Sequence, residues 1–196
     1  PDPQRVNVLK LNASLKFQTG VYPYSVLTSV FAPVDAWRDE RFAPVKITLS
    51  VQEWCGHVFH GVWPGDDRYV SQVLSYFASE GETREEVTTP SGALYEDALL
   101  IQLRELDGAF AGGRDWRGSL VPSLWSARRA HRALRPVSAT LTRTRATLDG
   151  AAVNRFELRY GDYSRTIDVE AAEPHRVLGW RASDGEEARI LRTARL

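Results

Sequence analysis

Apolar and polar side chains alternate along RVNVLKLNASLKF, where Leu9, Leu11, Ala13, Leu15 and Phe17 share one parity and Lys10, Asn12, Ser14 and Lys16 the other. A period of two sustained this long predicts a strand with one wet face. YSVLTSVFAPV, after the turn-like Thr19-Gly20, predicts a second strand. Pro33 and Pro44 bracket a loop that holds Trp37 and the charged DERF run. Alternation then resumes in VKITLSVQEWCGHVFHGVW, with no breaker before Pro64, Gly65 and Asp66, so residues 45 to 60 read as one strand. RYVSQVLSYFASEGE extends the series to a boundary near EEVTTPSG.

The period changes after that boundary. Tyr95, Leu99, Leu103, Leu106 and Phe110 make one stripe at helical spacing, predicting a helix over 94–110 that Ser91 caps and Gly112-Gly113 ends. SLWSARRAHRAL, 123–134, predicts a second helix stopped by Pro136. The remainder reads as a five-stranded antiparallel meander over about 137–195, with hairpin turns at Asp149-Gly150 and Asp184-Gly185.

Strands over about 6–88, a helical interlude over about 92–134 and a closing meander give a mainly β, α+β chain. The simplest way to bury these faces is a large curved antiparallel sheet, or incomplete barrel, wrapped around one or two helices. A length of 196 residues suits a single domain, 1–196, with one well-buried core. No apolar run approaches the roughly 20 residues of a membrane-spanning helix, so no transmembrane segment is expected.

Composition adds a setting rather than a chemistry. With one cysteine there is no internal disulfide framework, and 22 Arg against 3 Lys reflects a GC-rich genome more than a mechanism. There is no methionine, and the opening PDPQR reads as the start of a mature chain whose N-terminal leader or anchor has been removed. The expected location is the periplasm or cell envelope. Net charge is zero, but residues 1–100 carry 8 basic and 13 acidic side chains, whereas 101–196 carry 17 and 12.

Candidate chemistry centres on QEWCGHVFH. The WCGH tetrapeptide starts like a disulfide isomerase site, but Val58 stands where the second cysteine belongs. It also lies within an alternating segment instead of at a helix start, where a thiol pKa would be lowered. On a regular strand, Glu53, Cys55, His57 and Phe59 continue the inward parity of Val45, Ile47, Leu49 and Val51. Glu53, Cys55 and His57 are therefore candidates for a carboxylate, a nucleophile and a base. Neighbours two apart on one strand stand about 7 Å from each other, too far for proton transfer, which favours a buried structural network over catalysis. A metal site from Cys55, His57 and His60 would need a bulge and a ligand from His131 or His175, and none is expected. Glu80, Glu82, Glu85 and Glu86 lack the spacing of a calcium loop. No cofactor is implied.

Aromatic residues crowd the first third of the chain. Phe17, Tyr22, Tyr24, Trp54 and Phe59 are the candidate ligand-binding residues, with Tyr22-Pro23-Tyr24 at a rim. A basic run follows from Arg114 to Arg145, in which Arg128, Arg132 and Arg135 would share a helix face able to meet lipid headgroups or an acidic partner. Nucleic acid is not expected, because net charge is zero and no binding motif accompanies the patch.

The order of elements resembles the incomplete barrels of bacterial envelope lipoprotein carriers of the LolA and LolB type. LRPVSATLTRTRATLDGAAVNRFELRYGDYSRTIDVEAAEPHRVLGWRASDG resembles the C-terminal half of related exported proteins. TGVYPYSVLTSVF, SVQEWCGHVFH and SYFASEGE are similar to motifs of a bacterial family without assigned activity. The resemblance implies the fold and an envelope setting, and carries over no catalytic residue. Two non-enzymatic readings stay open: a binding protein that holds a lipid-like or other apolar small molecule on its concave face, and an accessory subunit docking onto a membrane-associated protein complex. The first predicts an open cavity beside Phe17, Trp54 and Phe59; the second predicts a filled core and an exposed aromatic patch near Tyr22-Pro23-Tyr24. A cysteine-dependent enzyme using Cys55 and His57 is the rival from another class.

Overall fold

The computed structural model describes residues 5–35, 42–108 and 115–194. Strand accounts for 57% and helix for 10%, so the chain is mainly β, with two sheets, one of them curled into a half-barrel, and two short helices. It divides into two compact units, the first comprising residues up to 36, 42–98 and 119–136, the second 99–118 and 137–196.

The first unit is built on a six-stranded antiparallel meander: β1 (Val8–Thr19), β2 (Tyr22–Pro33), β3 (Lys46–Gln52), β4 (His57–Pro64), β5 (Arg68–Ser75) and β6 (Glu82–Thr88), in that spatial order. The period-two pattern becomes two faces. Val26 and Val30 of β2, Ile47, Leu49 and Val51 of β3, Val58 and Val62 of β4 and Tyr69 of β5 form the closed inner face. Truncating a fully enclosed side chain there, such as Leu49, to alanine should cost about 2–5 kcal/mol.

Helical segments of the same unit cover this sheet: a 3₁₀ turn (Glu96–Ala98) meets β2, and a six-residue α-helix meets β3. Between β6 and the 3₁₀ turn, a two-residue strand, β7 (Leu94–Tyr95), pairs in parallel with Leu120 and Val121. Those two residues end β8 (Asp115–Val121), a strand that the sequence pattern did not announce. Glu96 and Asp97 accept the backbone N–H groups of Ser123 and Leu124, which begin the helix at Leu124–Arg129. Two carboxylates thus satisfy donors that a helix start leaves unpaired.

The second unit holds α1 (Leu99–Glu105), so the helix Leu124–Arg129 is α2. Its meander is β9 (Val137–Leu148), β10 (Ala151–Tyr160), β11 (Tyr163–Glu170), β12 (Val177–Ala182) and β13 (Glu187–Arg189). Four of the five expected strands form as read, and the last, expected over ARILRTAR (188–195), is only the three-residue β13, with residues 190–194 outside any strand. Asp149 and Gly150 both adopt positive φ, 49° and 83°, between the partners Leu148 and Ala151. This is the primed two-residue turn whose twist matches antiparallel strands.

Four expectations need correction. The helix expected over 94–110 is strand at 94–95, 3₁₀ turn at 96–98 and α-helix only at 99–105, because Asp107 and Gly108 turn left-handed at φ 47° and 74°. Tyr95, Leu99 and Leu103 of its stripe are buried, while Phe110, Gly112 and Gly113 lie outside the described residues, as do Trp37 and Arg114. The second helix ends at Arg129 rather than 134, with His131 at φ 49°. The strand expected over 45–60 is a hairpin, β3 and β4 joined by Glu53–Gly56, and RYVSQVLSYFASEGE likewise breaks at 76–81 between β5 and β6.

Candidate functional site

The turn at 53–56 decides where the candidate residues go. Glu53 N–H donates to the Gly56 carbonyl at 2.9 Å, closing the reversal. Gly56 is required by space, since a Cβ there would lie 2.6 Å from Tyr76 Cγ. Cys55 is consequently an exposed turn residue and His57 an exposed strand start paired with Gln52. The inward row Glu53–Cys55–His57 expected from a continuous strand does not exist. Glu53 is instead committed elsewhere, accepting from Tyr76 Oη at 2.8 Å and from Arg128 at 3.3 Å. Among the described residues no three His, Cys, Asp or Glu side chains converge as a metal site.

Four of the five aromatic candidates do assemble, at the end of the first sheet where the β1–β2 and β3–β4 turns lie. Phe17 and Tyr24 are directly opposed across β1 and β2 and stack with centroids 5.3 Å apart and planes 10° apart. Tyr22 meets Trp54 at 4.4 Å. A third pair, Tyr76 with Phe77 at 4.1 Å, follows β5. The patch remains open to water: Trp54 is 60% exposed, Tyr22 40%, Phe17 37%, with Leu15 at 45% and Val21 at 80% beside them. A shallow groove of about 560 Å³ runs along Phe17, Gln18, Pro23, Tyr24 and Gln52. Phe59 is the exception. It opposes Ser50 and Leu74 on the outer face, away from the inward positions Val58 and His60.

Behind this end, on the inner face, lies a polar pocket that the sequence reading missed. A cavity of about 270 Å³ is lined by His60, Ser71, Glu80, Glu85, Arg128 and His131 among others. His60 Nε2 is 2.8 Å from Ser71 Oγ. Burial lowers the His60 pKa to about 4; the Glu85 charge opposes that shift and the Arg128 charge adds to it, so the ring is neutral at pH 7. Ser71 has a neutral base beside it, yet a working nucleophile also needs a group that orients the base. Glu85 is engaged with Arg135 through two bonds of 2.8 Å, and that pairing holds its carboxyl below the usual range. Side chains of the pocket lining are thus engaged in hydrogen-bonded pairs, His60 with Ser71 and Glu85 with Arg135.

The basic patch is also redistributed. Arg128, largely enclosed, bridges Glu80 at 2.5 Å and Glu53 at 3.3 Å and lies over the Phe77 ring. Arg135 is held by Glu85 and the Leu134 carbonyl. Because the helix stops before His131, Arg132 and Arg135 share no helix face with Arg128, and of the three only Arg132 is exposed with no side-chain partner among the described residues. The signal for the pocket was present as polar residues at inward positions, His60 between Val58 and Val62, and Ser71 between Tyr69 and Val73. Comparison with protein-family models, with curated proteins and with solved structures finds no match to this chain.

Proposed function

We propose that this chain is a non-enzymatic accessory subunit that docks onto another protein through the aromatic end of its first sheet. The observation that carries this reading is the pair of solvent-facing aromatic contacts, Phe17 stacked on Tyr24 and Tyr22 tilted against Trp54, next to a closed interior at Val26 and Val51. Clustered aromatic side chains that stay wet in the free protein are the usual anchors of an interface, where burying them contributes most of the affinity. Holding a lipid-like ligand needs room beside Phe17, Trp54 and Phe59. Phe59 faces the other side of the sheet, the groove beside Phe17 is shallow, and Val26, Val30 and Leu49 are buried, which favours docking over carrying. Cys55 is exposed, and the one carboxylate of its turn, Glu53, is engaged by Tyr76 and Arg128, which gives the enzyme reading no support. The envelope setting belongs to the same proposal, and a membrane-associated assembly is the first place to look for the partner.

The test is to isolate the chain gently from its own host and weigh the intact assembly by native mass spectrometry, alongside an organic extract. A stoichiometric polypeptide partner is expected, lost in the double variant Tyr22→Ser, Trp54→Ser while the melting temperature is unchanged. A stoichiometric lipid on an otherwise bare chain would replace docking by the carrier reading.

A further inference from the structure

The sheet edges of this protein are not equally protected. A free edge is a row of unpaired backbone donors and acceptors, and natural proteins blunt it with charge, shortness, proline or a bulge. β6, the far edge of the first sheet, carries Glu82, Arg84, Glu85 and Glu86 within seven residues. In the second sheet the edge strands β13 and β7 are only three and two residues long. β1 is twelve residues long, contains no proline, and pairs with β2 in unbroken register from Val8 to Thr19. Among the described residues nothing pairs with its other side.

Its two faces say what could. Leu9, Leu11, Ala13, Leu15 and Phe17 continue the inner face, and all five remain at least partly exposed. On the outer face stand Lys10 and Lys16, and Lys46 of β3 joins Lys10 over the Phe31 ring, at 5.2 and 5.0 Å. These are all three lysines of the chain, and none forms an ion pair among the described residues. No aspartate or glutamate occurs anywhere in β1, β2 or β3. A second copy offers these lysines no partner: β1 holds no carboxylate in any register, and the antiparallel match centred on Ala13, with apolar faces aligned, sets Lys10 against Lys16 of the other copy, which is destabilising.

We infer that β1 is a strand-addition site for an extended segment of a partner protein, with apolar side chains on one face and acidic ones on the other. The inference rests on the docking reading above and deepens it by naming the partner's chemistry: its backbone completes the β1 ladder, its apolar side chains extend the Leu11–Leu15–Phe17 row, and its carboxylates meet Lys10 and Lys16.

A short synthetic peptide alternating valine and glutamate is the probe, with a valine–lysine peptide and a backbone N-methylated valine–glutamate peptide as controls. Binding is read by fluorescence anisotropy and by amide hydrogen exchange along β1. The acidic peptide should slow exchange in β1 and bind about tenfold tighter than the basic one, the sum expected of two or three exposed ion pairs. N-methylation should abolish binding, and the double variant Lys10→Glu, Lys16→Glu should invert the preference. Unchanged β1 exchange at saturating peptide, or a preference indifferent to the charge swap, overturns the inference. Concentration-dependent protection of β1 without peptide also overturns it, in favour of a second copy. If binding is lost with Trp54→Ser but indifferent to the lysine variants, the edge inference falls while docking at the aromatic end stands; loss of neither removes both.

Discussion

His60 Nε2 and Ser71 Oγ lie 2.8 Å apart across neighbouring strands, in a cavity that keeps the imidazole uncharged. The pair makes stability depend on pH with a definite sign. The His60 pKa falls from 6.5 unfolded to about 4 folded, mainly by burial. The unfolded chain therefore takes up the proton first as pH drops, so stability is complete above about 6.5 and falls between there and about 4. Over that window His60 alone should remove on the order of 3 kcal/mol. Urea midpoints measured between pH 7 and 4 should show the fall, and His60→Gln should flatten its upper part. An equally steep profile in the variant would assign the effect to carboxylates such as Glu80 and Glu85 instead.

Cys55 sits in a turn with its thiol exposed. An aromatic disulfide reagent should titrate one thiol per folded chain without denaturant, and Cys55→Ser should shift stability by no more than about 0.5 kcal/mol, as for surface changes away from special features. A thiol that reacts only after unfolding would return Cys55 to the interior and reopen the strand reading of residues 45–60.

The parity of that segment explains what the sequence displayed and what it hid. Alternation correctly places Ile47, Leu49 and Val51 inside, and the Asp149-Gly150 turn fixes the meander beyond it. Four turn residues between the partners Gln52 and His57 then reverse the parity: Val51 and Val58, an odd and an even position, oppose each other on one face. Reading straight through sends His57 and Phe59 inward and His60 outward, each the opposite of the structure. Glu53–Gly56 carries no asparagine or aspartate beside its glycine, so local turn chemistry gave no warning. Arg128, Arg132 and Arg135 fail similarly, since a helical spacing of four says nothing about the left-handed residue His131 between them.

Arg128 joins three parts of the first unit, α2 through its own backbone, the β3–β4 turn through Glu53 and the segment after β5 through Glu80. Burial alone would raise the Glu80 carboxyl pKa, but hydrogen bonds from Ser75 and Arg128 hold it below the usual value. Arg128→Met keeps the apolar stem near Phe77 and removes the charge, leaving two partly enclosed carboxylates uncompensated. A loss of about 1–3 kcal/mol is expected at pH 7. The loss should shrink toward pH 4, where Glu80 protonates more readily in the variant than in the parent. Thermal melts at both pH values check this, and a pH-independent loss would mean that packing over Phe77 dominates.

In the second unit Asp107 has a comparable reach over a shorter distance. Its carboxylate accepts from Asn154 Nδ2 at 2.6 Å and from Arg143 at 2.8 Å, while its carbonyl accepts a further 2.7 Å bond from Arg143. The residue also turns the chain left-handed after α1, a conformation that aspartate and asparagine tolerate better than most. Two costs should therefore separate. Asp107→Asn keeps the backbone preference and one acceptor oxygen, weakening mainly the Arg143 contact. Asp107→Ala strands the Nδ2 of the fully buried Asn154 and adds backbone strain, for a loss of about 2–3 kcal/mol. Chemical denaturation of the two variants should rank parent, Asn, Ala in falling stability. Equal losses for both substitutions would place the whole effect in the Arg143 ion pair and none in the buried amide.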